Sequence, residues 1–188
     1  MKSEREKMLS AELYDPLDSQ LSAERRRTRL LLKALNDTPD DAEQERARII
    51  RDLIPDAGPG FWLQPPFYCD YGNNITVGEK VFFNFNCVIL DVAPVRIGSY
   101  VLFGPCVQVY AATHPISAAQ RRTGLELGKP VDIGDDVWIG GGAIICPGVH
   151  IGAASVIAAG SVVTQEIPPH VLAAGNPCRV VRDIAVER

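Results

Sequence analysis

Val131-Asp-Ile-Gly-Asp-Asp-Val137-Trp-Ile-Gly-Gly-Gly-Ala143-Ile-Ile-Cys-Pro-Gly-Val149-His-Ile-Gly-Ala-Ala-Ser155-Val-Ile-Ala-Ala-Gly-Ser161-Val-Val163 is a stretch written in sixes. An aliphatic or small residue opens every block: Val131, Val137, Ala143, Val149, Ser155, Ser161 and then Ile167. Two places later stands a second aliphatic residue, Ile133, Ile139, Ile145, Ile151, Ile157 or Val163. Gly134, Gly140 and Gly152 fill the place after that. A period of six matches neither the helix nor the long strand. It suits a chain that runs straight for a few residues and then turns. Three such runs close a triangular coil of 18 residues, so every third block stacks on itself and Gly134 falls over Gly152. The openers are expected to point inward as one column, with glycine relieving the turn where a positive φ is needed. The fold class is therefore mainly β, a parallel β-helix of hexapeptide repeats. An ordinary sandwich, whose strands vary in length and turn spacing, does not produce this register.

The same register continues upstream as Val95, Val101 and Val107, and again as Ile75, Val81 and Cys87. One short insertion separates Cys87 from Val95. The β-helix is expected over 75–171, with an irregular, hydrophilic loop projecting from it at 113–130. Loops on a rigid scaffold often carry function. Residues 1–55 obey another rule. They are rich in Glu, Arg, Leu and Ala, with Leu9, Leu13, Leu17 and Leu21, then Leu30, Leu31 and Leu35, then Ile49, Ile50, Leu53 and Ile54 at helix-like spacings. We expect an N-terminal segment of two or three amphipathic helices, broken near Pro16 and 36–39 and ended by Pro55. It acts as a cap on the coil, as a lid over a pocket, or as both. Residues 56–74 read as a connector and 172–188 as a C-terminal tail.

The 188 residues carry a net charge of -4 and no isolated basic cluster, which gives no indication of nucleic-acid binding. No apolar run approaches the roughly 18 to 20 residues of a membrane span, and the charged first residues lead into no signal-like stretch. A cytoplasmic protein with no membrane partner is expected. Five cysteines without a C-x-x-C pair read as free, partly buried thiols.

Several long ordered segments resemble one family. They are Glu6-Lys-Met-Leu-Ser-Ala-Glu-Leu-Tyr14, Cys69-Asp-Tyr-Gly-Asn-Asn-Ile75, Phe83-Asn-Phe-Asn-Cys87 and Leu90-Asp-Val-Ala-Pro-Val-Arg-Ile-Gly98. Thr113-His-Pro115, Gly128-Lys-Pro130, Val137-Trp-Ile-Gly140 and Ala174-Gly-Asn-Pro177 complete the set. The chain resembles the hexapeptide-repeat sugar O-acetyltransferases of the maltose, galactoside and nodulation types, the maltose branch most closely. The resemblance implies a left-handed coil, a homotrimer with active sites between subunits, acetyl-coenzyme A as co-substrate and a small sugar as acceptor. It places the catalytic base at His114, an imidazole suited to hold a proton near neutral pH. It places acceptor contacts at Asn84 and Asp70, with Asp91, nearby in the insertion, grouped beside them, and matches Glu126 to a glutamate of the maltose type. Trp138, Gly141, Ala159, Thr164, Arg179 and Arg182 match coenzyme positions, the arginines suiting phosphate. No metal is implied. The galactoside type has an acid where this chain has Val92, and the family often has Lys in place of Gln165. Three alternatives remain: a hexapeptide acetyltransferase acting on a non-sugar alcohol such as an antibiotic, a zinc enzyme of the carbonic anhydrase type on the same coil, and a non-catalytic scaffold. The zinc enzyme needs three converging histidines, whereas His150 and His170 read as surface residues in unlike contexts.

Overall fold

The structure, a computed structural model, describes residues 2–185. Three parallel sheets form the walls of a triangular prism. The first face stacks Asp56–Ala57, Ile75–Val77, Val95–Ile97, Val131–Ile133 and His150–Ile151. The second stacks Trp62–Leu63, Phe82–Phe83, Leu102–Phe103, Trp138–Ile139, Val156–Ile157 and Val171–Gly175. The third stacks Phe67–Cys69, Cys87–Leu90, Gln108–Tyr110, Ile144–Ile145 and Val162–Val163. The chain visits first, second and third face in turn, coil after coil. Ile133 pairs with Ile97 on one side and Ile151 on the other, so Gly134 lies over Gly152 as the period of six requires.

The openers and their partners fill the prism. Val131, Ala143, Ile139, Ile145, Ile151, Ile157 and Val163 are all fully buried. Ser155 and Ser161 occupy opener places and keep their hydroxyls satisfied. Ser155 Oγ donates to the Pro168 carbonyl at 2.8 Å, and Ser161 Oγ accepts from Gly175 N at 3.2 Å.

The expected role of the recurring glycine is corrected. Gly58, Gly78, Gly98, Gly134 and Gly152 form a column at the corner after the first face, and none has a positive φ. Their constraint is space: a Cβ on Gly58 would lie 2.6 Å from Gly78 backbone, and one on Gly152 2.3 Å from Pro169 N. The left-handed conformation falls two places later, at Lys80, Tyr100, Asp136 and Ala154, with φ between 53° and 60°. Non-glycine residues accept that strain because the stacked coils fix the turn.

The expected connector, 56–74, is the first coil of the prism, its glycines and prolines sitting at corners. The expected tail continues the sheet: Val171–Gly175 joins the second face and Cys178–Asp183 folds back antiparallel on it. Residues 186–188 of that tail lie outside the described residues. Three helices precede the coils: α1 (Glu4–Leu9), α2 (Ser19–Asn36) and α3 (Glu43–Leu53). Ser3 and Glu6 form a capping box on α1, and Asp18 caps α2 through Gln20 N and Leu21 N. The expected helical run through Leu13 and Leu17 is absent: 10–18 lies between helices, and Leu17 is 80% exposed. Leu32, Leu35, Ile49, Ile50, Leu53 and Ile54 join the solenoid core and close its first end. Asn36 extends this seal, its side chain donating to Phe67 O at 3.0 Å and accepting from Phe67 N at 2.9 Å. An open strand edge is thereby covered.

Two substitutions separate the columns. Gly134→Ala puts a methyl 2.7 Å from Ala153 N. It is expected to cost about 1–3 kcal/mol, as overpacking does. Ala154→Gly releases left-handed strain of about 1–2 kcal/mol against roughly 0.5–1 kcal/mol of added chain freedom, so it is expected to be neutral or slightly stabilising. Urea unfolding at one protein concentration checks both, and the opposite order would overturn the assignment.

Candidate active site

The corner between the third and first faces is where the repeat breaks. It breaks in three consecutive coils, at 70–74, at the insertion 91–94 and at 113–130. The last of these is an ordered excursion. Ala112–Thr113 pairs antiparallel with Leu127–Gly128, and a short helical turn, Ala118–Arg121, caps the far end. Arg121 Nη1 donates to the carbonyls of Pro115 and Ile116, both at 3.0 Å, which fixes the backbone just after His114.

A cleft of about 360 Å³ opens on this corner. His114, exposed at the root of the excursion, faces Asp70, Tyr71, Val92 and Glu126 across it. The far wall comes from the N-terminal segment, through Tyr14, Leu17, Arg25 and Arg29. The segment is therefore cap and cleft wall together. Tyr14 and Glu126 exchange backbone hydrogen bonds at 3.0 and 3.1 Å, and Tyr14 Oη donates to Glu126 Oε2 at 3.0 Å. Burial first, and the Glu126 carboxylate second, hold the Tyr14 phenol above its ordinary pKa. Arg25 donates to Tyr71 Oη at 2.6 Å and to the Pro16 carbonyl, its guanidinium 5.7 Å from the Tyr71 ring centre. Burial raises the Asp70 carboxyl, and Glu126 adds to the rise, while Arg25 and Arg29 oppose it. The expected contacts Asp70 and Glu126 thus lie together with His114.

Asp91 does not line the cleft. It is fully buried and accepts from Asp70 N and Tyr71 N at 2.9 Å each and from Gly72 N at 2.7 Å. Burial pushes its pKa up to about 6 against the pull of those N–H groups.

Asn84, Trp138, Gly141, Ala159, Thr164, Arg179 and Arg182 also lie away from the cleft in the single chain. Asn84, Gly141 and Ala159 stack on another corner, between the second and third faces. Packing there is tight: a Cβ on Gly104 would meet Gly141 N at 2.5 Å, and one on Gly140 would meet Ala159 N at the same distance. Gly142, Ala159 and Gly160 are exposed along this corner and Gly141 partly so, a lane of small residues. Trp138 stands outward on the second face, 55% exposed, beside Leu102. Thr164 is exposed at the end of the last third-face strand, and Arg179 and Arg182 lie on the final hairpin strand. Among the described residues, no group of three His, Cys, Asp or Glu side chains gathers as metal ligands, and no helix is long and apolar enough to cross a membrane.

Known proteins share this fold. Residues 7–58 match the model of the maltose acetyltransferase hexapeptide capping motif, and 130–165 match the bacterial transferase hexapeptide of six repeats. Nodulation protein L of Rhizobium meliloti is 48% identical over 95% of this chain and 98% of its own length. This chain belongs to the hexapeptide-repeat sugar O-acetyltransferase family. A crystal structure of a maltose O-acetyltransferase from Clostridium difficile superposes on its left-handed coil with a TM-score of 0.97, at 47% identity, covering 98% of this chain and 99% of that one. A hexapeptide-repeat acetyltransferase of Vibrio cholerae, complexed with acetyl-coenzyme A, superposes at 0.91, with 42% identity and coverage of 98% and 100%. The protein is an acetyl-coenzyme A-dependent acetyltransferase. Sequence reasoning missed Tyr14, Arg25, Arg29 and Tyr71 as wall residues. The i, i+4 spacing of Arg25 and Arg29 on an amphipathic helix was the available signal.

Tyr14→Phe leaves Glu126 without its phenolic donor. Stability is expected to fall by about 1 kcal/mol, the size of one hydrogen bond, in thermal unfolding compared at equal protein concentration. An unchanged midpoint would show that the N-terminal strap, the 10–18 stretch pinned at Tyr14 to Glu126, is held by its backbone pairing alone.

Proposed function

We propose that the protein transfers acetyl from acetyl-coenzyme A directly to a sugar hydroxyl, with His114 as general base. The observation that carries this reading is the cleft itself. It sets one imidazole, on a root fixed by Arg121, among side chains able to orient hydroxyls: Asp70, Glu126, Arg25 and Arg29. His114 takes the proton of the attacking hydroxyl as its oxygen bonds to the thioester carbonyl carbon. The carbon–sulfur bond then breaks, and the imidazolium returns the proton to the departing thiolate. Backbone N–H groups at the tight corner stabilise the oxyanion, as preorganised donors do. The transfer is a single displacement, with no acyl-enzyme between donor and acceptor. The acceptor is a maltose- or glucose-like sugar, and the enzyme works in the cytoplasm.

Acetyl-coenzyme A runs along the lane at Gly141 and Ala159, against Trp138, with Thr164, Arg179 and Arg182 toward its phosphates. The lane and His114 sit on different corners of one chain, so a complete site needs a second copy, and we propose a homotrimer. The three faces support it. The first face turns Thr76, Arg96, Asp132 and His150 outward, with Arg96 paired to Asp132 at 2.8 Å. The other two turn out Leu102, Trp138 and Val156, and Tyr68, Val88, Ile144 and Val162. Two apolar faces of unlike shape suit a heterologous contact that closes as a ring. A solution mass near that of one chain, 20.5 kDa, at micromolar concentration would count against the trimer.

His114→Ala is expected to lower turnover by about 10² to 10⁴, the usual contribution of a general base. Coenzyme affinity and assembly should hold, and the low-pH limb of the rate profile should disappear. A panel of sugar and non-sugar alcohols, read by thiol release, identifies the acceptor. Near wild-type turnover in the assembled His114→Ala protein would reject the mechanism.

A further inference from the structure

We infer that Asp91 is a positioning residue that acts on the acceptor through Asp70, rather than an acceptor contact. The inference rests on the reading of Asp70 as an acceptor contact. Asp91 is the one fully buried carboxylate among the described residues, and both of its oxygens are taken. Oδ1 accepts from Asp70 N and Tyr71 N, and Oδ2 from Gly72 N. These are three consecutive N–H groups of a turn that leaves the parallel ladder, so a side chain of the next coil takes the place of the backbone carbonyls the ladder would supply. The same residue's carbonyl accepts from Asn74 Nδ2 at 2.7 Å, so the turn is gripped at both ends.

Four residues around this grip line the cleft. Asp70 and Tyr71 lie before and within the held turn, and Leu90 and Val92 flank Asp91 itself; all four line the wall opposite the N-terminal strap. Tyr71 passes the constraint outward, since its carbonyl accepts from Thr28 Oγ1 at 2.8 Å and its phenol from Arg25. The insertion also braces the root of the excursion. A Cβ on Gly128 would lie 2.7 Å from Ala93 Cβ, so the His114 hairpin rests directly on the segment that Asp91 begins. The buried carboxylate therefore sets the distance between Asp70 and the hairpin that carries His114. Charge-assisted bonds to N–H groups are strong and directional, which suits holding a carboxylate in place across an open cleft.

A double-mutant cycle tests this on the full-length enzyme. Asp91→Asn is isosteric and replaces an accepting oxygen by an amide that meets N–H with N–H. The acceptor KM is expected to rise about tenfold with a smaller fall in kcat, the signature of lost positioning. The KM for acetyl-coenzyme A should stay within twofold. In an Asp70→Asn background the same change should raise the acceptor KM less than twofold, because residues acting as a unit are not additive. Asn74→Ala loosens the turn without touching the buried carboxylate and should show the same selective rise, reduced, if Asp91→Asn fails to fold. Additive effects of Asp70→Asn and Asp91→Asn overturn the inference alone. An Asp70→Asn enzyme with wild-type acceptor KM removes both the inference and the reading of Asp70 beneath it.

Discussion

Each coil is held to the next by parallel strands of two to five residues, and strands that short have no stability of their own. The molecule stands only if each coil repeats the backbone path of the one below at a spacing of about 4.8 Å. Where the path is repeated, every N–H finds the carbonyl of the neighbouring coil, and the glycine column lets corners touch. Where it is not repeated, the chain must leave the prism and find other partners for its backbone. Three consecutive coils leave at the same corner. Asp91, Asn74, Thr28 and the Tyr14–Glu126 pairing supply the missing partners. The cleft is the space that this set of departures encloses, so its walls are as rigid as those substitute bonds.

Helix α2 ties the end of the prism to the cleft. Leu21, Thr28, Leu32 and Leu35 are buried along one side of it, Leu32 and Leu35 within the solenoid core. Arg25 and Arg29, one turn apart, look into the cleft. A helix displaced from the core would carry both arginines with it, and Arg25 would drag Tyr71 and Pro16. The sealing of an open sheet edge and the shape of the cleft are thus one mechanical problem, and the capping segment solves both.

The repeat was legible because it is local: the period of six and the inward openers need nothing beyond neighbouring residues. The excursion at 113–130 was legible for the same reason, as the place where the period fails. The glycine column was seen but misread. Sequence marks glycine without saying whether φ or space demands it, and here the stacked corner demands space while Asp136 and Ala154 carry the positive φ. The strap was not legible at all. Tyr14 and Glu126 are 112 residues apart, and nothing in either local pattern announces the pairing. Asp91 was grouped with the acceptor contacts for its place in the insertion, and a carboxylate there looks the same in sequence whether it faces the cleft or, as here, turns inward to three backbone N–H groups.

The charges of the cleft bear on the acceptor. Carboxylates accept hydrogen bonds, guanidinium groups donate them, and a sugar hydroxyl does both. Asp70 and Glu126 stand against Arg25 and Arg29, so the wall groups carry equal numbers of each sign. Each pushes the Asp70 carboxyl in the direction its sign requires, the arginines downward and Glu126 upward, with burial tipping the result upward. A strongly anionic acceptor would meet two carboxylates, and a cationic one two guanidinium groups. A neutral, hydroxyl-rich molecule meets neither repulsion, which is the electrostatic support for the proposed sugar acceptor and for His114 as its base.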